Sequence, residues 1–506
     1  MNWSALQNGS DIRGVALEGI EGQHVNLTSE VTKKIGIAFA KWLGKQLPSD
    51  KGNLRIGVGM DSRLSGPVLK ESVCEGLSAS GCDVWDCKLA STPAMFMSTI
   101  LDEFNFDGAI MLTASHLPFN RNGMKFFTKK GGLEKANITE ILEIAQRIEL
   151  DQFNQQGAIS DADLMSAYAN HLVENIRNNI NAENFQYPLK GFKIVVDAGN
   201  GAGGFYATKV IQELGAEISG SQFLEPDGNF PNHIPNPEDK VAMASIQEAV
   251  IKNNADLGII FDTDVDRAAV VDHLGNPVNR NSLIALMAAI VLEEHPGITI
   301  VTDSITSDGL KTFIEDKLKG KHHRFKRGYK NVINESIRLN ENNEPSWLAI
   351  ETSGHAALKE NYFLDDGAYL VSKVVIKMAR LKQKGKTILD LINELPQPKE
   401  SSEYRINIKA KDFRNYGQSV IEALENFSEN NMGWEIVPNN YEGIRIACDK
   451  NSGNGWFLLR LSLHDPVIPL NIETEEQGGV KQIANILIEF FKEFESLDLS
   501  AFDKIN

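Results

Sequence analysis

The chain has 506 residues, 42% of them hydrophobic and 24% charged, with a formal net charge of −17. This length gives room for about three or four domains of usual size. The acidic balance excludes a general binder of nucleic acid or anionic membrane, which needs a cationic face. Four cysteines (Cys74, Cys82, Cys87, Cys448) without paired metal spacing exclude a disulfide framework. No basic-then-apolar leader opens the sequence, and the longest apolar stretch, near Leu283 to Leu292, is too short to span a membrane. The expectation is a cytoplasmic protein in a reducing compartment, a monomer or weak homo-oligomer with a small-molecule partner.

Three apolar runs, each ending in Asp, recur along the chain: Leu54 to Asp61, Phe192 to Asp197 and Ile298 to Asp303. Small or polar residues and then a helical pattern follow each, as in Pro67 to Ala79. Each is answered by a second strand-like run: Gly108 to His116, Leu257 to Arg267, and Trp347 to His355. Near-continuous apolar strands alternating with helices predict three related α/β domains with mostly parallel sheets, covered on both faces. Their loops gather at the strand ends, where ligands of such sheets bind. After about residue 396 the pattern changes to short strands near Glu403, Trp434, Gly443 and Gly455, closed by an amphipathic helix from Gln477 to Phe494. That predicts a smaller α+β domain behind a linker marked by Pro396, Pro398, Ser401 and Ser402. The expected domains are 1–158, 159–277, 278–396 and 397–506.

Four segments carry chemistry. Thr113-Ala-Ser115-His116-Leu-Pro118 follows an apolar strand, and Pro118, Asn120, Asn122 and Gly123 favour a tight turn with the Ser115 hydroxyl projecting. A serine is a weak nucleophile and needs a base or a metal; the near candidates for a base are His116 and Lys125. The acyl-transfer pattern G-x-S-x-G is absent from this loop. Gly199-Asn-Gly201-Ala-Gly203-Gly204 satisfies G-x-G-x-x-G after a strand, so a dinucleotide site competes with a tight structural turn.

Asp262-Thr-Asp264-Val-Asp266-Arg267 follows Leu257 to Phe261. Three carboxylates this close repel unless a hard cation takes their oxygens, and Mg²⁺ accepts such ligands beside a phosphate. A calcium loop is excluded because its sixth and twelfth positions, Gly and Glu, are here Arg267 and His273. A solvated acidic turn remains the other reading. Metal plus Arg267 suggests a site for a phosphoryl group. Finally, Lys317 to Lys330 is a basic island, either a solvated loop or a landing area for a small anion.

In their order, these pieces resemble the α-D-phosphohexomutase family over nearly the whole chain. Asp11-Ile-Arg13-Gly resembles its N-terminal D-I-R-G, and Thr113 to Pro118 with Asn122-Gly-Met-Lys125 its phosphoserine loop. Asp262 to Arg267 resembles its metal loop, Pro226 to Pro231 a further motif, and Glu351-Thr-Ser353-Gly-His355 its sugar-recognition loop. The resemblance implies four domains around a central cleft, and an isomerase of the phosphoglucomutase/phosphomannomutase type interconverting hexose 1-phosphate and hexose 6-phosphate. Ser115 would carry the phosphoryl group. Mg²⁺ would be held by Asp262, Asp264, Asp266 and the phosphate on Ser115. A hexose 1,6-bisphosphate would be the intermediate and activator.

Phosphoryl transfer asks for positioning and charge neutralisation. Arg267 and His116 are expected against the phosphoserine, and Arg13 and Lys125 offset charge or shuttle a proton. His355 suits acid–base work on a sugar hydroxyl. Glu351 and Ser353 are expected on ring hydroxyls.

The family's last motif, a phosphate clamp, departs here. Arg460 and Ser462 remain, but Leu463 and His464 replace Gly and Thr, and Arg460 is the last arginine, so a second clamp arginine is missing. His464, Arg445, Lys326 and Lys330 are the expected compensations. A looser clamp favours a variant that releases the bisphosphate. A phosphoglucosamine mutase, or a sugar-phosphate binder without turnover, stays open at this stage.

Overall fold

The structure is a computed structural model that describes residues 2–48, 52–153, 156–462 and 465–503. It divides into two compact units, the first formed by Met1–Ile290 with Ser353–Leu391 and the second by Val291–Thr352 with Ile392–Asn506.

The first unit holds two sheets. In the larger, the strand order is Gln7–Asn8, Asp11–Val15, Arg121–Thr128, Gly108–Leu112, Arg55–Met60, Asp83–Leu89 and Ile159–Asp161. The strands from Gly108–Leu112 through Ile159–Asp161 run parallel, while Arg121–Thr128 lies antiparallel to both its neighbours. The expected boundary after residue 158 therefore needs correcting. Ile159–Asp161 pairs with Asp83–Leu89 and completes the first sheet, because a parallel partner satisfies its backbone there.

Helices Ser29–Gln46 and Gly66–Ala79 cover this sheet with an apolar face that includes Ile35, Phe39, Leu43, Leu69, Val73 and Leu77. Thr28 caps the first, its side chain accepting from Val31 N at 3.3 Å. The second sheet orders Pro277–Val278, Ala268–Asp272, Leu257–Phe261 and Ile194–Asp197, with only the last pair parallel. Gly367–Lys382 is a helix of this unit, and Ala356–Leu358 pairs antiparallel with Leu364–Asp365.

In the second unit, Thr299–Asp303 runs parallel to both Lys321–Phe325 and Ser346–Ile350. A separate antiparallel sheet orders Trp434–Ile436, Ile444–Cys448, Gly455–Leu459, Val467–Thr474, Glu400–Ile408 and Leu497–Asp498. Helices Phe413–Glu429 and Gly479–Phe491 bury Val420, Leu424, Ile483 and Leu487 against it. Ser401 and Ser402, expected in a linker, lie inside the strand Glu400–Ile408, since their backbone is paired with Glu473 and Ile472. The basic island is likewise not a plain loop: Lys321–Phe325 is a strand, so its backbone is committed to the sheet. No helix of the described residues is long and apolar enough to cross a membrane.

Candidate active site

In the first unit, the strand Gly108–Leu112 feeds Ser115 into a left-handed turn, φ +49°, where the main chain reverses sharply. The Ser115 N–H donates to Thr113 Oγ1 at 2.9 Å, fixing the turn from within. Around it, a fully buried arginine gathers the carbonyls of the loop. Arg63 donates to Ser115 O, to Leu117 O at 2.6 Å, to Pro118 O at 2.8 Å and to Arg121 O at 2.9 Å. Its own charge is met by Asp61, whose Oδ2 lies 3.3 Å from Arg63 Nε. Sequence reasoning stopped at Asp61 as a strand end and missed Arg63. The usable signal was an arginine three residues past the buried strand Arg55–Met60.

The Ser115 hydroxyl donates to Asp262 Oδ2 at 2.9 Å and accepts from Arg267 Nη2 at 3.0 Å. Arg267 Nη2 also donates to His116 Nδ1 at 2.6 Å. Burial, then Arg267, Arg13 and His355, push His116 down to about 3, so its imidazole stays neutral and can accept that bond. Arg13 donates to Thr113 O and to Asp11 Oδ2, both at 2.9 Å, from the strand beside Arg121–Thr128. Thus Ser115, Arg267 and His116 lie in mutual contact in this unit.

Asp262, Asp264 and Asp266 are buried on the loop after Leu257–Phe261, with one oxygen of each lying within 4.8 Å of the others. Val265, a β-branched residue between two of them, sits at φ +69°. That conformation is uncommon for a side chain of this kind and marks a tightly determined loop. Lys125 Nζ bonds Asp266 Oδ2 and lies 3.2 Å from Asp264 Oδ2. Thr92 Oγ1 donates to the same Asp264 oxygen. The other oxygens, Oδ1 of Asp264 and Oδ1 of Asp266, are buried without a hydrogen-bond donor among the described residues. A buried, unpaired carboxylate oxygen is costly, and a hard cation is the ligand type that removes the cost for both at once. Burial and the two neighbouring carboxylates push Asp262 well above its usual range, while Lys125, His355 and Arg267 outweigh burial at Asp266 and hold it ionised.

His355 is brought to this loop by an antiparallel bridge to Arg267. Its Nδ1 bonds Asp365 Oδ2 and lies 3.9 Å from Asp266 Oδ1. Burial pulls the imidazole down, but the two carboxylates more than reverse this and raise it to about 9. Asp365, ten residues further on, is a partner that no sequence spacing announced. Ser353 is buried in the same unit.

The second unit carries the remaining expected residues. Glu351 is buried, and its Oε1 accepts from Gly328 N at 2.6 Å. Arg460 Nη1 lies 3.8 Å from Glu442 Oε1, and its Nε is buried without an acceptor among the described residues. Ser462 is half-buried, its N–H on Val467 O at 2.9 Å and its Oγ accepting from Asp465 N at 3.3 Å. Lys326 is exposed beside the Phe325 ring, and Lys330 is half-buried in the first turn of helix Tyr329–Glu341.

Arg445 departs from its expected role. Its guanidinium is buried on Ser304 O at 3.0 Å, Thr306 O at 3.1 Å and Asp308 at 3.0 Å, and stacks 3.5 Å over Trp456. A planar fork spent on two carbonyls, a carboxylate and a ring is a structural brace. His464 lies outside the described residues.

The glycine loop has a packing role. A Cβ at Gly201 would lie 2.6 Å from Thr263 O and one at Gly204 2.2 Å from Leu224 O. The chain itself fills the approach that a dinucleotide would need there.

Comparison with known proteins places this arrangement. Three family models match in order: phosphoglucomutase/phosphomannomutase domain I over residues 5–152, domain II over 166–275 and domain III over 279–398. The chain is 32% identical over 467 residues to a phosphomannomutase/phosphoglucomutase of Pseudomonas syringae, covering 91% of this chain and 92% of that one. It is 30% identical over 470 residues to a phosphoglucomutase of Neisseria gonorrhoeae, covering 93% and 94%. A phosphoglucomutase/phosphomannomutase family protein of Burkholderia thailandensis superposes with a TM-score of 0.76 at 27% identity, covering 96% of both chains.

The fold and the match together define a sugar-phosphate isomerase of the mutase class. The chain belongs to the phosphoglucomutase/phosphomannomutase family of α-D-phosphohexomutases. It is an enzyme with phosphohexomutase function.

Proposed function

We propose that the enzyme interconverts hexose 1-phosphate and hexose 6-phosphate of the gluco and manno types, with Ser115 as the phosphoryl carrier and a hexose 1,6-bisphosphate as intermediate and activator. The observation that carries this reading is the Ser115 hydroxyl held between Asp262 and Arg267, beside the two donorless oxygens of Asp264 and Asp266. Asp262, Asp264 and Asp266 are the residues that would hold Mg²⁺, together with an oxygen of the phosphate on Ser115. When bound, the ion supplies neutralisation of charge on the transferring group.

The chain's own residues do the rest. Arg267, anchored on Asp262 at 3.2 Å, fixes the phosphoserine and offsets its charge. His116, neutral, adds a directional contact. As a sugar hydroxyl oxygen bonds to phosphorus, the bond from phosphorus to Ser115 Oγ breaks; in the second half-reaction the other phosphoryl group returns to Ser115. In the first transfer the neutral form of His355 takes the proton of the attacking sugar hydroxyl, and Ser115 Oγ leaves as an alkoxide beside Arg267 and Lys125. In the return step that oxygen attacks phosphorus and the imidazolium gives the proton back to the departing sugar oxygen. Lys125 and Arg13 hold charge beside the reacting serine. Glu351 and Ser353 are the sugar contacts of this reading. Arg460, Ser462, Lys326 and Lys330 are its contacts to the phosphate that is not being transferred. The same reading keeps a four-domain division, its first boundary set a few residues later than 158.

The test is a mutase assay over a panel of hexose 1-phosphates, with and without chelator. Activity that vanishes with EDTA, returns with Mg²⁺ and is absent in Ser115→Ala supports the reading. Full activity in chelator, or in the alanine variant, removes it. A second reading, release of the bisphosphate, is favoured by the missing second arginine after Arg460. It fails if free bisphosphate never exceeds the enzyme concentration.

A further inference from the structure

Glu442 sits in the second unit on a turn between Trp434–Ile436 and Ile444–Cys448, and its carboxylate accepts from two donors and faces a third at longer range. Ser304 Oγ donates to Oε2, the backbone N–H of Arg327 donates to the same oxygen at 3.1 Å, and Arg460 Nη1 stands 3.8 Å from Oε1. A hydroxyl, a main-chain N–H and a guanidinium are the donors that a phosphate oxygen takes up. Yet Glu442 satisfies Arg460 poorly. The 3.8 Å separation is beyond hydrogen-bond reach, and Arg460 Nε remains buried without an acceptor among the described residues. A larger anion with more oxygens would serve this donor set better than a carboxylate does.

The turn keeps Glu442 in place. Asn440 Nδ2 donates to Glu442 O at 2.9 Å and to Gly443 O at 2.8 Å. Gly443 stands at φ +59°, and a Cβ there would lie 2.1 Å from Leu459 O and 2.8 Å from Arg460 Cα. The main chain beside Glu442 is thus pressed against the strand end that carries Arg460. Only the side chain of Glu442 is left to move aside.

We propose that Glu442 is an internal occupant of the phosphate seat, a carboxylate that the substrate's non-transferred phosphate must displace, and that it determines how loosely this enzyme holds that phosphate. The proposal rests on the reading of Arg460 as a phosphate contact. Entry of the phosphate breaks the bonds from Ser304 and Arg327 to Glu442 and replaces them with bonds to phosphate oxygens. The displaced carboxylate remains a nearby like charge, which weakens binding.

The experiment compares Glu442→Gln, Glu442→Ala and Arg460→Met in the full-length enzyme, reading KM for glucose 1-phosphate and the inhibition constant of inorganic phosphate. Removing the competing charge in Glu442→Gln should lower both constants by roughly tenfold, about 1.4 kcal/mol. Glu442→Ala should move them the same way, which keeps the test open should either variant fold poorly. Unchanged or raised constants in both Glu442 variants overturn the proposal and make Glu442 a brace for the arginines. Arg460→Met separates the two readings. If it raises both constants while the Glu442 variants do nothing, only the present proposal falls. If it leaves them unchanged, the phosphate reading of Arg460 falls with it.

Discussion

Replacing Arg63 by methionine should cost far more than a surface arginine would. The guanidinium donates to four loop carbonyls, those of Ser115, Leu117, Pro118 and Arg121, and lies 3.3 Å from Asp61 Oδ2. Both side chains of that ion pair are wholly buried. Methionine fills much of the volume but donates nothing. Each carbonyl loses a bond worth about 1 kcal/mol net, and the carboxylate of Asp61 is left buried and unpaired. Breaking a buried pair in this way costs about 3–5 kcal/mol. With a urea dependence of about 2–3 kcal/mol/M, the broken pair alone should lower the midpoint of the transition by roughly 1–2.5 M, and the lost carbonyl bonds add to that fall. The double variant Asp61→Asn/Arg63→Met removes the stranded charge, so it should be less damaged than the sum of the singles by about 2 kcal/mol. Phosphorylation of Ser115 should slow in the single variant even below its unfolding range, because the loop that aims the hydroxyl has lost its anchor. The assay is urea denaturation of all four proteins, with labelling of Ser115 followed in parallel. An Arg63→Met protein within 1 kcal/mol of the parent, or strict additivity with Asp61→Asn, would refute the reasoning.

Other outcomes follow from the same contacts. His233 Nε2 faces both oxygens of buried Asp197 at 3.1 and 3.0 Å and its Nδ1 faces Ile234 O at 2.9 Å, so both nitrogens carry protons. Burial disfavours the charge but the bonds to Asp197 outweigh it, and the folded pKa is raised above the unfolded value of 6.5. Its stabilisation is therefore complete below about pH 6.5 and lost as pH rises through the raised folded value. A His233→Gln protein should show a flatter stability profile above that pH, measured by urea melts at several pH values. Gly204→Ala must push a Cβ to 2.2 Å from Leu224 O and should cost about 1–3 kcal/mol, with no nicotinamide cofactor bound by either protein in a fluorescence titration. Asp365→Asn loosens the Nδ1 partner of His355 and should lower kcat about tenfold to a hundredfold, with a smaller effect on KM in steady-state assays.

The site was legible where chemistry and sequence are contiguous. Asp262, Asp264 and Asp266 alternate on one loop, and Ser115 with His116 closes a strand, so their types and spacing declared a charged cluster and a projecting hydroxyl. The α/β units were legible because apolar strands buried on both faces leave unbroken hydrophobic runs, as in Gly108–Leu112 and Leu257–Phe261. Contacts between residues distant in sequence were not. Arg63 reaches carbonyls more than fifty positions away, and Glu442 meets Ser304 and Arg327 across more than a hundred. Nothing local distinguishes such residues from solvated charges. The same blindness made Arg445 look like a compensation for the missing clamp arginine, although the chain turns it onto carbonyls and Trp456. It also hid the strand Val467–Thr474, which carries Pro469 and follows the altered clamp motif.

The most direct measurement is intact-protein and peptide mass spectrometry after incubation with glucose 1,6-bisphosphate and Mg²⁺. The account predicts a single added phosphoryl group on the peptide containing Ser115, absent from Ser115→Ala and transferable to hexose monophosphate. A protein that gains no phosphoryl group, or gains it on another side chain while the alanine variant keeps full mutase activity, would contradict it.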